Sequence, residues 1–339
     1  MISTSLGWRR KSGATPHVRY PAQGPQRHGR SRVSDEPRSD QVTADQPPRL
    51  RVGVVGTGRA GAVLGAALAR AGHVVVAANA VSDVSRLRAD ALLPGVPIVS
   101  VEDVLAAADL VLLTVPDDVL PALVAGLVET GSVRPGQFLA HASGRYGYRV
   151  LDPATEVGAL PLALHPVMTF TGTSIDLARL SGVPFGVTAP EQLRPVAEAL
   201  AVEMGGDPVW VEEGNRALYH AALAHGANHL VTLVVQTTEL LSAAGVENPS
   251  LLVAPLLSAA LDNALRYGDQ ALTGPVARGD AGTVAAHLRE LGHVAPEARA
   301  AYVALARVTA DRALAAGILR SDAAEALLDV LAQPEEERR

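Results

Sequence analysis

A short glycine-rich turn between two apolar segments is the feature that most constrains the fold of this chain. Residues 52–55 are apolar, Gly56-Thr57-Gly58-Arg59-Ala60-Gly61 follows them, and an Ala/Leu-rich stretch continues to Arg70. In the pattern Gly-x-Gly-x-x-Gly, the first glycine permits the turn, the second lets the backbone approach a pyrophosphate, and the third lets a helix pack on a strand. The order strand, turn, helix therefore predicts a dinucleotide site, with the phosphates at the helix N-terminus. A tight strand-to-helix turn that binds no nucleotide is the alternative.

Apolar runs and helical stretches alternate through the first two thirds of the chain. The predicted strands cover residues 52–55, 74–78, 110–115, 138–141, 160–165, 185–188 and 209–211, and the predicted helices between them cover 60–71, 102–108, 117–129 and 191–204. This alternation predicts the α/β class with a doubly wound parallel sheet. Strand signals stop after residue 213, and Ala/Leu-rich helices follow, broken near residues 245–249, 267–282 and 292–296. We therefore expect a dinucleotide-binding domain over residues 49–213 and an all-helical domain over residues 214–333.

The two ends of the chain differ from the rest in composition. Residues 1–48 carry eight basic and four acidic residues among Gly, Pro and Ser, without apolar periodicity, which predicts a disordered tail. Residues 334–339 are a charged tail that we expect to fray. The first segment lacks the apolar stretch of a secretory signal, and no apolar run approaches the length of a membrane span, so we expect a cytoplasmic protein without membrane contact.

Composition excludes several kinds of chemistry. The chain has no cysteine, which rules out thiol nucleophiles and thiolate metal sites. Lys11 is the sole lysine, so Schiff-base chemistry, a P-loop lysine and a lysine general acid are excluded after that residue. Aromatic residues make up 3% of the chain and the net charge is −6, which argues against a nucleic-acid partner.

The end of the second predicted strand distinguishes between the two nicotinamide cofactors. NAD sites usually place a carboxylate there to bind the ribose 2′-hydroxyl, but this chain has no acidic residue before Asp83. Serines and the arginines Arg86 and Arg88 follow, and they can bind a 2′-phosphate. NADP is therefore preferred over NAD, although a solvated helix start would also explain the arginines. The expected cofactor-binding residues are Gly56, Thr57, Gly58, Arg59, Ala60, Gly61, Asn79, Ser82, Arg86, Val115 and Pro116.

Residues 50–330 resemble a superfamily that contains pyrroline-5-carboxylate reductases, ketopantoate reductases, prephenate dehydrogenases and 6-phosphogluconate/β-hydroxyacid dehydrogenases. More closely, they resemble the bacterial family with a Rossmann-like domain followed by a helical domain of unknown function. Beyond the glycine turn, the matching segments are Val115-Pro116-Asp117-Asp118, His141-Ala142-Ser143-Gly144, Leu164-His165-Pro166, Tyr219-His220-Ala221-Ala222 and the stretch from Ala271 to Asp280. The resemblance implies an N-terminal Rossmann domain, an all-α C-terminal domain like that of 6-phosphogluconate dehydrogenase, a nicotinamide-dependent oxidoreductase activity and a homodimer formed through the helical domains.

One departure from that pattern bears on catalysis. The related hydroxyacid dehydrogenases and ketopantoate reductases carry a proton-donating lysine where the first long helix of the second domain begins. Here the corresponding residue is Arg216. An arginine stays protonated, so it can stabilise negative charge or bind a carboxylate but cannot donate a proton.

Histidines are the remaining candidates for proton transfer near pH 7. His220 falls about 40° from Arg216 on a helical projection, so we expect the two to form a substrate-facing pair, a proton donor with an oxyanion clamp. Asn228, about 80° from His220, is a weaker candidate for substrate binding. His225 and His229 have the spacing of metal ligands but no third ligand, so packing is preferred and no metal site is expected.

Three further segments supply candidates. Ser143, after a strand, could bind the nicotinamide or the substrate, or simply form a turn. His165 resembles the His-Pro element that lies near the substrate in prephenate dehydrogenases, and bonding to a loop carbonyl is its alternative. The resemblance to pyrroline-5-carboxylate reductases implies that a loop with a helix capped by Asp280 binds a substrate carboxylate across a dimer interface. The residues of this expected substrate loop are Thr273, Gly274, Pro275 and Arg278.

Three functional hypotheses remain open. The first is an NADP-dependent reductase of a small anionic 2-oxo acid such as ketopantoate, with His220, Arg216, His165, Ser143 and Asn228 as the candidate catalytic residues. The second is an imine reductase of the pyrroline-5-carboxylate reductase type, for which a protonated substrate would make the missing lysine less important. The third is a non-catalytic protein that binds NADP and responds to it.

Overall fold

Seven strands form a single sheet in the computed structural model, which describes residues 49–332. The strands are β1 (Arg51–Val55), β2 (Val74–Asn79), β3 (Leu110–Leu113), β4 (Phe138–His141), β5 (Leu160–Pro166), β6 (Pro184–Thr188) and β7 (Asp207–Trp210). Their order is β2-β1-β3-β4-β5-β6-β7. The chain leaves β1 towards β2 on one side and returns to β3 on the other, so the edge at β1 and β3 is the switch point where such sheets bind ligands.

The predicted doubly wound α/β fold is confirmed, and its sheet is parallel except at one pair of strands. Strands β1 to β5 are parallel, but β6 runs antiparallel to β5, and β7 is parallel to β6. The connection from β5 to β6 contains a helix of five residues, Ile175–Arg179, and β6 then runs back along β5 in the opposite direction.

Helices cover both faces of the sheet. The helices of this part are α1 (Arg59–Arg70), α2 (Asp83–Leu92), α3 (Val101–Ala107), α4 (Leu120–Glu129), α5 (Asp152–Glu156), α6 (Ile175–Arg179) and α7 (Arg194–Glu203). Buried residues of α1 and α7 form one core with β1 and β6, while α3, α4 and α5 form a second core on the other face. The sheet between two apolar layers explains why the strands read as continuous apolar runs.

A helical region follows the sheet, as the sequence predicts. It contains α8 (Arg216–Ala243), α9 (Pro249–Tyr267), α10 (Gly274–Arg278), α11 (Ala281–Val294), α12 (Pro296–Ala315) and α13 (Ser321–Ala332). Helices α10 to α13 share a small core of their own, which includes Val284, Leu288 and Leu327. The Asp280 carboxylate accepts a hydrogen bond from the Thr283 N–H, which confirms Asp280 as the N-cap of α11.

The first two helices of this region are barely covered. Arg216 is the one buried residue of α8, and Val253 is the one buried residue of α9. Large apolar side chains on both helices face solvent, and Leu218, Leu251 and Leu265 are each more than 70% exposed. The disordered tail predicted over residues 1–48 and the frayed tail predicted over residues 334–339 lie outside the described residues.

Candidate functional site

The glycine-rich turn connects β1 to α1 at the switch point of the sheet. Gly56 has a φ of +89°, in the left-handed region that favours glycine. The N–H groups of Gly56 and Thr57 both donate to the backbone oxygen of Asn79 at the end of β2. The Thr57 hydroxyl, fully buried, donates to the backbone oxygen of Ser85 at 3.1 Å. These hydrogen bonds therefore hold the turn against the end of β2 and the start of α2, and the opposite side of the turn is free for a ligand.

The second and third glycines meet different surroundings. A Cβ atom on Gly58 would contact nothing within 4 Å, so this position is open to a group approaching the backbone. A Cβ on Gly61 would collide with the Gly56 oxygen and the Thr114 hydroxyl, so this glycine is needed for α1 to pack on the sheet. These are the roles that a dinucleotide turn requires of its second and third glycines.

The end of β2 has no carboxylate, but its polar side chains are engaged within the protein. The Asn79 side-chain amide donates to the backbone oxygen of Val99 at 3.0 Å. The Ser82 hydroxyl accepts from the Ser85 N–H and forms a capping box at the start of α2. Ser82 and Asn79 therefore stabilise the local structure, a role that the sequence prediction of cofactor contacts did not include.

Thr114 and Val115 close the other side of the turn. The Thr114 hydroxyl donates to the backbone oxygen of Gly56 at 2.7 Å. A Cβ on Gly56 would lie 3.4 Å from the Val115 side chain, so Val115 lines the turn, while Pro116 after it is exposed. Thr114 was missed in the sequence because a threonine at a strand end carries no signal by itself.

A second turn, residues 141–147, follows β4 at the same edge of the sheet. Burial lowers the pKa of His141 to about 4, so its ring is neutral at pH 7. Its Nδ1 accepts from the Ser143 N–H, which leaves Nε2–H to donate to the Gly147 oxygen at 2.9 Å. The Ser143 hydroxyl oxygen accepts from the N–H groups of Arg145 and Tyr146. Ser143 thus forms the turn, as its alternative interpretation held, and its hydroxyl hydrogen remains available to an acceptor.

His165, Tyr219 and His220 meet beside this turn. His165 Nδ1 lies 2.8 Å from the Tyr219 hydroxyl, and the His165 and His220 rings are 6.3 Å apart. A Cβ on Gly144 would lie 2.8 Å from both histidine rings, so the absence of a side chain at Gly144 makes room for them. Burial raises the pKa of Tyr219. The pKa of His165 is lowered to about 4, first by burial and then by the positive charge of Arg216. We call His165, Tyr219 and His220 the donor cluster.

Arg216 is buried against the donor cluster, with its Cζ 5.5 Å from the centroid of the Tyr219 ring, and its assignment as an oxyanion clamp stays a prediction. Its side chain is 2% exposed, its Nε donates to the Thr188 hydroxyl at 2.7 Å, and Nη2 donates to the backbone oxygens of Ala163 and Gly186. The guanidinium ties α8 to the antiparallel pair β5 and β6. Burial lowers its pKa to about 10. Nη1 is buried without a hydrogen-bond partner among the described residues.

The other predicted residues of α8 lie away from the cluster. Asn228 is exposed and lies eight residues beyond His220, roughly 12 Å along the helix. His225 and His229 are exposed and contact each other through their Nδ1 atoms at 2.9 Å. Within residues 49–332, no group of three or more His, Asp or Glu side chains could hold a metal ion. Asn228 is therefore not brought to the donor cluster of its own chain.

The predicted substrate loop lies in the helical region. Thr273 and Pro275 line a cavity of about 400 Å³ together with Leu233 and Leu240 of α8 and Tyr302 of α12. Leu233 is 13 residues beyond His220, so the loop is roughly 20 Å along α8 from the donor cluster. The chain does not bring Thr273, Gly274, Pro275 and Arg278 to its own donor cluster.

The fold and the site define a class of protein: an α/β domain with a dinucleotide-type turn, followed by a helical domain whose first helix reaches the edge of the sheet. Residues 35–166 match the family described as Rossmann-like domain, and residues 183–309 match the family described as domain of unknown function DUF2520. The chain therefore combines these two domains, in the order that the sequence resemblance indicated. No curated protein matches the chain in sequence.

Solved structures share this fold. A protein from Bacteroides fragilis, provisionally assigned as an NADP oxidoreductase, is 21% identical with a TM-score of 0.65, over 78% of this chain and 98% of that chain. An imine reductase variant from Myxococcus stipitatus in complex with NAD+ is 17% identical with a TM-score of 0.56, over 84% of this chain and 100% of that chain. A reductive aminase from Aspergillus terreus in complex with NADPH4, cyclohexanone and allyl amine is 17% identical with a TM-score of 0.53, over 79% of this chain and 90% of that chain. At these identities the similarity shows the fold. In the described part of the chain, none of the helices combines the length and apolar character needed to cross a membrane.

Proposed function

We propose that the protein is an NADP-dependent oxidoreductase that reduces the carbonyl group of a small anionic 2-oxo acid, with ketopantoate as the first candidate. The observation that carries this proposal is the position of two features at one edge of the sheet. The glycine-rich turn lies at the ends of β1 and β3, and the donor cluster lies at the ends of β4 and β5. A cofactor held at the first feature and extended along the edge would meet a substrate at the second.

The residues of the turn fit a nicotinamide dinucleotide. The open space above Gly58 admits the pyrophosphate, and the free N–H groups at the start of α1 favour its negative charge. Arg59 is exposed at this helix end, and no acidic residue occupies the first turn of α1. When bound, the cofactor supplies the hydride. The absence of a carboxylate at the end of β2 supports NADP over NAD.

The protein must hold the carbonyl group and supply a proton. His165 is neutral, and if its proton is on Nδ1, it donates to the Tyr219 oxygen and leaves the phenol hydrogen free for the substrate oxygen. His220 is half-buried beside His165. We assign binding of the carbonyl oxygen to Tyr219 and proton transfer to His220. The buried Arg216 stabilises the donor cluster from the interior of the protein.

A second copy of the chain would complete the site. The apolar, uncovered faces of α8 and α9 are the surfaces that a homodimer would bury, since large exposed apolar patches mark interfaces. The substrate loop, including the exposed Arg278, would then reach the donor cluster of the other copy and bind the carboxylate of the substrate.

Imine reduction is the second candidate, favoured by the charge of the donor cluster. His165 and Tyr219 are neutral at pH 7, and the buried Arg216 is engaged with backbone oxygens. An imine that arrives protonated needs no proton from the protein. The similarity in fold to an imine reductase and a reductive aminase agrees with this alternative.

A substrate screen tests the proposal. The full-length protein is mixed with NADPH or NADH and with ketopantoate, other 2-oxo acids or cyclic imines, and cofactor oxidation is followed by absorbance. We expect turnover with NADPH, lost in Gly58→Asp because the carboxylate would fill the pyrophosphate position. Gly214→Asp is the matched control, because Gly214 is exposed in open space away from the turn. Turnover of imines alone selects the second candidate. NADPH binding without any turnover leaves the non-catalytic hypothesis, and failure to bind NADPH refutes all three.

A further inference from the structure

The peptide group that joins Gly147 to Tyr148, at the end of the second turn (residues 141–147), is held from both sides. Its oxygen accepts from His141 Nε2–H at 2.9 Å. Its N–H donates at 2.9 Å to Oε2 of Glu213, which lies in the segment that leads into α8. Because the oxygen and the N–H belong to one peptide group, each bond polarises the group and strengthens the other. A continuous chain of hydrogen bonds therefore connects the approach to α8 with the buried ring of His141.

The carboxylate of Glu213 occupies the space that a side chain at Gly147 would take. A Cβ on Gly147 would collide with both carboxylate oxygens, although the φ of −86° at this glycine is one that any residue adopts. The second oxygen, Oε1, accepts from the Arg149 N–H at 3.3 Å. The glycine is therefore needed for the close approach of Glu213 and not for the conformation of the backbone.

The same turn forms one wall of the donor cluster. His141 Nδ1 accepts from the Ser143 N–H, and the next residue, Gly144, packs against the rings of His165 and His220. Burial is the main cause of the lowered pKa of His165. A backbone that lies this close to the His165 ring excludes water from it, so the position of the turn and the pKa of the ring are linked.

Two ionic side chains connect the start of α8 to different parts of the sheet edge. Arg216 donates to the backbone of β5 and β6, whereas Glu213 accepts from the segment that follows β4. Tyr219 and His220 come within the next helical turn after Arg216. The two connections together therefore determine how these side chains lie against Gly144.

We propose that Glu213 is a positioning residue for the donor cluster, and that its carboxylate holds the turn of residues 141–147 against His165 and His220. The inference rests on the proposed function, because it gives this turn a task in the reaction. Glu213 acts through the Gly147–Tyr148 peptide group and does not itself bond to the donor cluster.

Two variants of the full-length protein break the contact in different ways. Glu213→Ala removes the carboxylate, and Gly147→Ala displaces it while the charge stays in the chain. The displaced atoms are the end of a flexible side chain, so we expect both variants to fold, which thermal unfolding checks. Glu213→Gln removes the charge but keeps an oxygen that can accept from the Tyr148 N–H. Glu212→Gln is the matched control, since the exposed Glu212 accepts from the Trp210 indole N–H instead.

The first readout needs no substrate. The His165 ring is followed by NMR in protein whose histidines carry labelled ring nitrogens, and in the wild type we expect it to titrate at its pKa of about 4. In Glu213→Ala and Gly147→Ala we expect this pKa to rise by about one unit, as water reaches the ring. Loss of a nearby negative charge would by itself lower the pKa, so a rise reports movement of the turn. Glu213→Gln and Glu212→Gln should show no rise.

The second readout is turnover with NADPH and the substrate found in the screen. In Glu213→Ala and Gly147→Ala we expect kcat to fall at least about fivefold while the KM of NADPH changes less than about twofold, and Glu213→Gln should keep at least about half of kcat. The inference is overturned if Glu213→Ala leaves the pKa of His165 unchanged, if it leaves kcat unchanged in an active enzyme, or if Glu212→Gln has the same effects. A wild-type protein that turns over no carbonyl or imine refutes the proposed function, and the titration of His165 then decides by itself whether Glu213 positions the turn.

Discussion

Replacing Arg216 by methionine separates two roles that this residue could play. A substrate clamp would leave stability unchanged when removed, whereas a structural guanidinium would not. The structure supports the second role, because Arg216 is buried and donates three hydrogen bonds, to the Thr188 hydroxyl and to the backbone oxygens of Ala163 and Gly186. Methionine fills a similar volume but leaves those acceptors without this donor.

The expected loss follows from two opposing contributions. Hydrogen bonds to a charged group contribute about 1.5–3 kcal/mol each to stability. Against this, the fall of the pKa of Arg216 to about 10 corresponds to roughly 3 kcal/mol of desolvation cost, which the substitution removes. The three bonds outweigh that cost, so we expect Arg216→Met to lower the free energy of unfolding by about 1.5–6 kcal/mol, with about 4 kcal/mol as the central value.

Urea unfolding followed by circular dichroism measures this loss, at one protein concentration because assembly would also change apparent stability. Arg289→Met on α11 is the control, since Arg289 is exposed and its replacement should change stability by less than about 0.5 kcal/mol. If Arg216→Met were as stable as the control but raised the KM of the substrate many-fold, the structural assignment would be refuted and Arg216 would be a substrate ligand.

The glycines of the turn should separate binding from folding: Gly58→Ala, in open space, should weaken NADPH binding at unchanged thermal stability, whereas Gly61→Ala, which collides with backbone, should lower the melting temperature by several degrees. Scanning fluorimetry with and without NADPH tests both, and equal stability of the two variants would contradict the packing argument. Burial lowers the pKa of His141 to about 4, while an unfolded histidine titrates near ~6.5, so acidification protonates the unfolded chain first. The contribution of neutral His141 to the free energy of unfolding is therefore fully present above about pH 6.5, and it falls by up to about 3 kcal/mol as the pH is lowered towards 4. His141→Asn should make the free energy of unfolding, measured with urea, less dependent on pH in this range. Tyr219→Phe removes the hydroxyl bonded to His165 and should reduce kcat roughly 10²-fold with little change in the KM of NADPH; an unchanged kcat would exclude Tyr219 from the reaction.

Much of the fold follows from local patterns in the sequence. The apolar run before Gly56 is a buried strand, and the interruptions near residues 245–249 and 292–296 separate α8 from α9 and α11 from α12. The direction of β6 could not be predicted in this way. Apolar periodicity reports which residues are buried, and a strand buried on both faces has the same composition in either direction.

The site was predictable in its components and not in its geometry. Each glycine of the pattern has a structural role that depends only on its immediate neighbours, so the turn from Gly56 to Gly61 could be placed from the sequence. A helical projection put Arg216 and His220 on one side of α8, but it contains no information on what that side faces. The short, antiparallel β6 packs against Arg216, whose side chain donates to its backbone. His220 lies one helical turn further along α8, beside Gly144.

The exchange of lysine for arginine at the start of α8 has a consequence for the chemistry of the whole cluster. Lysine has a compact charged group that can lose its proton, but a guanidinium forms several bonds in a fixed plane and stays charged. Here those bonds are made to the backbone of β5 and β6 and to the Thr188 hydroxyl, and the charge of the guanidinium acts on His165. That charge contributes to the lowered pKa of His165 and so keeps the ring neutral as a partner of Tyr219. Under the proposed function, Tyr219 and His220, one turn beyond Arg216, therefore hold the proton-donating position that the resemblance assigns to a lysine at the start of α8.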